Sequence, residues 1–392
     1  MPSAGIHFGL RTCPFWSTQS LRNDCAHPRT SSLTPPIQHG RKVWVISSYR
    51  AITFDDTGTN FLALDFLVLS GTTSVSIDST GTFGAKSSNA FTQLAETNND
   101  LATVTISGPV SIFLGTLFSN SNAGDGVVTD IAARATSPTT IHSSLKLIDA
   151  SATTGEVDII AGGTNTSGAG HFGNGASLNA NITITYTGLE IKGGSGSGLI
   201  ENDAKNGIVT DGNGTGDQVI LGGAGAKATL GTGSADDVSV GVSLIGTKEL
   251  AGSALGDTVK FGSAATAFLV IGSGAEAGST AGTTNIGLTK VLDAAAGMII
   301  NFRDIGLSSS NIVDETAAVA SLTTLTAAEN EAVKTMGSAG VAYFTFGKNE
   351  YFIATNNAET TVSSSDAIVE LVGITNIHHA ATISGGVVAL HV

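Results

Sequence analysis

Cysteine, proline, aromatic rings and charge are all scarce in this chain of 392 residues. It has 2 cysteines, 7 prolines, 6% aromatic residues and 13% charged residues. Two cysteines cannot build a disulfide scaffold. No apolar run approaches the roughly 20 residues that span a bilayer as a helix, so no membrane span is expected. At 41% hydrophobic, with a net charge of -14, the chain is nevertheless too apolar for intrinsic disorder. What it has in excess is glycine, 50 residues, about twice ordinary usage and without the every-third-residue period of collagen.

The composition breaks near residue 50. Residues 1–50 hold both cysteines (Cys13, Cys25), both tryptophans (Trp16, Trp44), five of the seven prolines, six basic residues and one acid, Asp24. Their net charge is +5, and the remaining 12 basic and 31 acidic residues give -19. The first 50 residues therefore read as an atypical basic leader: a foreign segment, an unstructured arm or a gene-start artefact. They lack the 7–15-residue apolar stretch of a secretory signal. Six scattered charges are a weak signal for a nucleic-acid-binding arm, and no nucleic-acid partner is expected. The eleven residues between the cysteines match no zinc spacing.

Beyond residue 51 the chain consists of short β-branched segments such as 102–107, 145–148, 157–160 and 182–186, punctuated by Gly, Asn, Ser and Asp. This is the pattern of many short strands joined by turns. Helical periodicity is almost absent. One helix is expected at 326–336, where Thr326 and Glu329 form a capping box and Gly337 a stop. A weaker helical pattern covers 87–96. The sequence predicts an all-β fold, a parallel β-solenoid or β-roll with a small C-terminal β-rich cap containing one helix. The expected divisions are the leader (1–50), a β-rich solenoid-like region (51–192), a glycine-rich repeat (193–280) and a C-terminal cap and secretion region (281–392).

The repeat carries the chemistry. Written in nines, 193–201 reads GGSGSGLIE, 202–210 NDAKNGIVT, 212–220 GNGTGDQVI, 222–230 GGAGAKATL, 231–239 GTGSADDVS and 252–260 GSALGDTVK. The template has glycine at positions one, two and four, Asp at six and an aliphatic residue at eight. Ile200, Val209, Val219 and Val238 fill position eight, and Thr229 departs from it. Glycines at the turn positions permit positive φ and let carbonyls face inward.

These nonapeptides resemble the repeats of the RTX (repeat-in-toxin) family of bacterial secreted proteins, well over 193–260 and loosely over 100–392. The resemblance implies that two nonapeptides complete one turn of a β-roll. Stacked turns then gather carboxylates and carbonyls into an all-oxygen cage for Ca²⁺. It places the metal on one edge, at Asp217 and Asp236, 19 residues apart, with Gly212, Gly214, Gly231 and Gly233 shaping the turns. Asp257 is a weaker extension, and Asp211 or Asp203 are helpers. Gly198 holds the Asp slot one turn earlier. The other edge, with Gly207 and Lys227 in that slot, is expected to be metal-free. The alternative is an ion-independent coil in which Gly and Asp only form turns.

Residues 145–160 are similar to segments preceding the repeats in RTX surface-layer proteins. The expected hairpin at 341–353, the strand at 366–373 and the apolar ending 385–392 are similar to a C-terminal secretion region read by a type I exporter. The resemblance implies a secreted, extracellular protein at the cell surface, part of a surface layer or matrix. Its partners would be calcium, the type I secretion machinery and further copies of itself.

Enzyme signatures are missing. There is no Gly-x-Ser-x-Gly elbow, no His-Glu-x-x-His and no phosphate-binding Gly-x-x-x-x-Gly-Lys-Ser/Thr. The glycine clusters open no helix of a dinucleotide site. His378 and His379 are adjacent and would point to opposite faces of a strand. His142, His171 and His391 are isolated. Asp55-Asp56 and Asp314-Glu315 read as turn or helix-start residues. The expectation is a non-enzymatic protein. A calcium-dependent adhesin, a secreted β-helical enzyme acting on polysaccharide, and the secretion and folding unit of a longer protein are the alternatives.

Overall fold

The computed structural model describes residues 51–56, 62–81, 88–96, 100–114, 139–161, 182–223, 225–240, 257–262, 267–271, 288–302, 305, 307, 311–363, 366–375 and 386–390, with short strand segments at 5–9, 31–32, 43–47, 127–129, 164–165, 171–172 and 176–177. The described regular structure is strand apart from α1 (Thr316–Val319) and α2 (Leu325–Met336) and isolated helical turn residues.

Two large, mostly parallel sheets contain most of the strands. The strands named next alternate between them along the chain. Thr103–Gly108, Leu147–Thr153, Glu190–Lys192, Ile208–Thr210, Lys227–Thr229, Thr258–Lys260 and Thr289–Val291 pair in that order in the first sheet. Ser111–Leu114, Val157–Ala161, Gly198–Asn202, Gln218–Leu221, Asp237–Val240, Phe268–Ile271 and Ile299–Asn301 do so in the second. The turns from first sheet to second form one edge of the molecule, and the turns back form the other.

Strands three to five residues long are marginal alone; stacking supplies their stability. Each strand bonds to the turn before and the turn after it, and one or two side chains per strand point between the sheets. Ile191, Val209, Ala228, Val259 and Val291 line one column; Ile159, Ile200, Val219, Val238, Leu269 and Ile300 line the facing one, and all are buried. A buried side chain of this size contributes about 1.5–3 kcal/mol. The fourth nonapeptide is corrected here: Ala228, not Thr229, takes the inner position, and Thr229 is exposed. Register is set by the ladder, and Ala228 opposes Val209 and Val259.

The first sheet continues past Thr289–Val291 into Ala367–Leu371 and the antiparallel hairpin Gly340–Phe346/Asn349–Thr355. Gly347, at φ +67°, takes the left-handed conformation in the two-residue turn of that hairpin. Helix α2 packs Ala328, Ala332, Val333 and Met336 against Phe344, Tyr351 and Ile353. Its N-cap is Thr324, whose hydroxyl accepts from the Ala327 amide at 3.3 Å, so the expected Thr326 capping box does not form. Gly337 ends the helix at φ +63°, as expected. Asp314 caps the start of α1 by accepting from the Thr316 amide at 2.9 Å. The cap thus holds two helices where one was expected. The apolar ending supplies Val387–Ala389, which pairs antiparallel with Ile299–Asn301 and buries Val388 and Leu390.

Two further expectations are corrected. Residues 87–96 are a strand, Ser88–Glu96, laddered in parallel to Leu62–Ser70 and Ser111–Leu114. Backbone bonding on both sides overrides the local helical spacing of Phe91, Leu94 and Ala95. The leader is not unstructured throughout. Its β-branched and aromatic segments Gly5–Gly9 and Val43–Ser47 pair with Ala51–Asp56 and Leu62–Ser70. Among the sequence candidates, Cys13, Cys25, Trp16, His378, His379 and His391 lie outside the described residues.

Candidate metal centre

The edge that carries Asp217 and Asp236 is built from consecutive turns at 193–197, 211–217 and 230–236, followed by the described residues 261–262 and 267. Strand register stacks Gln218 on Asp237 and Leu199 on Gln218. Gly198, Asp217 and Asp236 therefore occupy one column, as the repeat spacing implies. The column continues into Ala267, so the acids stop at Asp236.

The glycines of these turns have a reason other than the expected one. Gly212, Gly214, Gly231 and Gly233 are not among the residues with positive φ. A Cβ on Gly212 would collide with the Gly194 carbonyl, and one on Gly231 with the Gly212 carbonyl. The same holds for Gly214 against the Gly196 carbonyl and Gly233 against the Gly214 carbonyl. Each turn lies so close over the previous one that its carbonyl occupies the place of a side chain. Left-handed backbone is needed one residue before each Asp. Gly216 supplies it at φ +76°, and one turn later Ala235 adopts φ +61°.

Three acids converge on this edge. Asp217 is fully buried, Asp236 is 2% exposed and Asp211, at the start of the same turn as Asp217, is 8% exposed. Asp236 Oδ1 accepts the Asp217 amide at 3.3 Å, and Asp211 Oδ1 accepts the Gly212 amide at 2.8 Å. Neither oxygen of Asp217 accepts a well-formed hydrogen bond. A side chain on Gly214 would sit 2.5 and 2.7 Å from the two Asp217 oxygens and 2.7 Å from the Gly196 carbonyl, so three oxygens face one small space. Burial pushes the Asp217 carboxyl up to about 7, with the charges of Asp211 and Asp236 adding and the Gly198 amide opposing. Burial raises Asp211 to about 6, helped by Asp236 and opposed by the Gly212 amide. Asp236 is raised by burial, against the amides of Asp217 and Gly216.

A buried acid without a well-formed hydrogen bond to either oxygen, beside two further acids, is costly unless protons or a cation neutralise it. Among the described residues no three His, Cys, Asp or Glu side chains group closely enough to hold a metal by themselves. A cation here would be held by the carboxylates of Asp217 and Asp236 and would complete its shell from carbonyls such as Gly196. Such an all-oxygen, mixed carboxylate and carbonyl set suits Ca²⁺ and is poor for softer metals. The residues present fit that ion.

Asp257 is not an extension of this edge. It precedes Thr258–Lys260 and stands on the opposite edge, over Ala226, whose amide it accepts at 2.8 Å. Burial pushes its carboxyl up to about 8, with the Ala226 and Gly225 amides opposing. The slot between Gly207 and Asp257 belongs to Ala226, not Lys227. Lys227 is a strand residue pointing to solvent and opposes no ion. The five residues between Leu221 and Lys227 match the five between Asn202 and Ile208, so the fourth unit starts at Leu221 and not at Gly222. Asp203 also lies on this opposite edge, next to Tyr186, and not with Asp217.

Sequence reasoning missed a second use of acids. Asp158 Oδ1 accepts the Leu199 amide at 2.8 Å, and Asp293 accepts the Phe261 amide at 3.0 Å and the Gly262 amide at 2.7 Å. Each carboxylate bonds backbone of a neighbouring turn. Asp158 lies inside Val157–Ala161 and Asp293 two residues beyond Thr289–Val291, and neither position belongs to the nonapeptide template.

No protein-family model matches the chain, and no curated protein matches it.

Proposed function

We propose that this is a secreted structural protein of the cell surface, RTX-like, whose glycine–aspartate turns bind Ca²⁺ and close a parallel β-roll outside the cell. The carrying observation is Asp217: buried, without a well-formed hydrogen bond to either oxygen, one turn below Asp236 and facing a backbone carbonyl. In this reading the chain is not an enzyme. Where free calcium is low, mutual repulsion of Asp211, Asp217 and Asp236 disfavours the stacked edge, and the chain stays open enough for a type I exporter. Millimolar external calcium, in the range met by weak extracellular modules, neutralises the acids and couples binding to folding. Further copies on the same surface are the expected partners.

Circular dichroism of the purified chain with calcium and after chelation tests this. The β signal and melting temperature should fall on chelation. Replacing Asp217→Ala and Asp236→Ala together should remove most of the calcium response. A signal and melting temperature indifferent to chelation would overturn the reading.

A further inference from the structure

Charge is segregated across the repeat. Between 146 and 291 the described lysines are Lys146, Lys192, Lys205, Lys227, Lys260 and Lys290. Four of them lie in strands of the first sheet and the other two at its strand ends or in the opposite-edge turns. The second-sheet strands of the same stretch carry Asp158, Glu201 and Asp237 and no Lys or Arg. The turns of the Asp217 edge carry no Lys or Arg either. The first-sheet strands of this stretch carry those four lysines against two acids, Asp149 and Glu190, in a chain of net charge -14.

The outward face of these strands is open. Ile208 is 40% exposed, and Thr210, Lys227, Thr229 and Lys260 are exposed around it. Lys192 is paired with Glu190 at 3.5 Å and Asp149 at 4.0 Å, and Lys290 with Glu370 at 3.2 Å. Lys227 and Lys260 have no ion-pair partner among the described residues. Register sets Lys227 beside Thr258 and Thr229 beside Lys260. The two ammonium groups are therefore staggered over neighbouring strands about 4.8 Å apart, each next to a threonine hydroxyl.

We propose that the outward face of the first sheet, from Ile208 to Lys260, binds an acidic polysaccharide. The ligand class follows from what the face offers. Ammonium groups are point charges suited to isolated carboxylates, and the threonines hydrogen-bond hydroxyls. The face has no aromatic ring on which bases stack and no arginine, which a single-stranded nucleic acid would want. It lacks the cluster of four to eight basic residues that reads an anionic membrane. A polymer with one carboxylate per sugar among many hydroxyls matches two unpaired lysines set beside threonines. Neither a groove nor aromatics is needed for this contact, which is adhesive and not catalytic.

Binding of the whole chain to immobilised polygalacturonate, at one fixed free calcium concentration, is the test. Neutral dextran, duplex DNA and anionic phospholipid vesicles serve as comparisons. The chain should bind polygalacturonate in preference to all three and be released by added salt. Lys227→Glu with Lys260→Glu should weaken binding roughly tenfold or more, as expected for losing two exposed ion contacts. Lys227→Arg with Lys260→Arg should retain it. Lys348→Glu, in the exposed hairpin turn of the cap, should leave it unchanged. Circular dichroism shows that each variant is folded. Equal binding to dextran, preference for DNA or vesicles, or loss of binding in Lys348→Glu equal to that in the double glutamate variant overturns the proposal, as does unaltered binding of the double variant.

Discussion

Asp217 shows how one residue carries opposite costs in two states. Without a cation it is a buried acid without a well-formed hydrogen bond to either oxygen, near Asp211 and Asp236. Asp217→Asn removes that charge while keeping the shape. It should raise the melting temperature of the calcium-free protein and shrink the further rise produced by calcium. Calorimetry in chelator and in calcium separates the two effects; a purely structural Asp would show a loss in both. Ala235 is the other informative residue. It holds φ +61° in the place where the turn below uses Gly216, a conformation that costs a residue with a Cβ about 1–2 kcal/mol. Ala235→Gly should therefore stabilise the protein by about 1 kcal/mol in urea unfolding, offset in part by the greater entropy of the unfolded chain. The sequence makes the acid and its spacing visible, but it hides the reason for the glycines. Their requirement comes from carbonyls 18 or 19 residues earlier, which no local propensity reports.

At the scale of elements, local rules succeed where an element is set by its own residues. The hairpin at 340–355 and the end of α2 at Gly337 are of this kind. They fail where a neighbour decides. Ser88–Glu96 has helical spacing but is fixed by ladders on both sides. Thr324 caps α2 from two residues before the expected box, because its extended backbone aims the hydroxyl at the Ala327 amide. Thr324→Ala should cost about 1 kcal/mol and be read as a lowered midpoint of cap unfolding. Thr326→Ala should cost less, and a larger loss there would restore the expected box. Lys227 was misplaced because the fourth unit starts at Leu221 and not at Gly222. Asp257 was misplaced because residues 241–257 separate Val240 from Thr258, where five residues make the equivalent connection one coil earlier. Counting in nines does not show an insertion between units.

The molecule as a whole stores unneutralised acids. Besides Asp217, burial raises Asp158 to about 7, Asp257 to about 8 and Glu329 of α2 to about 7, the last with help from Glu370. These groups hold protons in the folded state at pH values where the unfolded chain, titrating near 4, has released them. Unfolding then releases protons, so stability is greatest near the acidic end and falls as pH rises from about 4 to 8. Metal-free protein should melt at progressively lower temperature from pH 5 to pH 8. Calcium should flatten that slope by replacing the protons at Asp217 and Asp236, while Asp158 and Glu329 keep part of it. The alternation of short strands and their stacking in two parallel layers were legible in the sequence from β-branched segments and turn residues. The gathering of Lys227, Lys260 and Lys290 on adjacent strands of the first sheet was not. It emerges only when register places residues far apart in sequence on one face.

The central claim, that the Asp217 edge is a calcium site, is tested most directly by isothermal titration of metal-free protein with calcium at pH 7.5. The account expects saturable binding in the range met by extracellular calcium modules, about 0.1–1 mM, lost in Asp217→Asn with Asp236→Asn and retained in Asp293→Asn. No binding, or the same isotherm in wild type and the double variant, would contradict it.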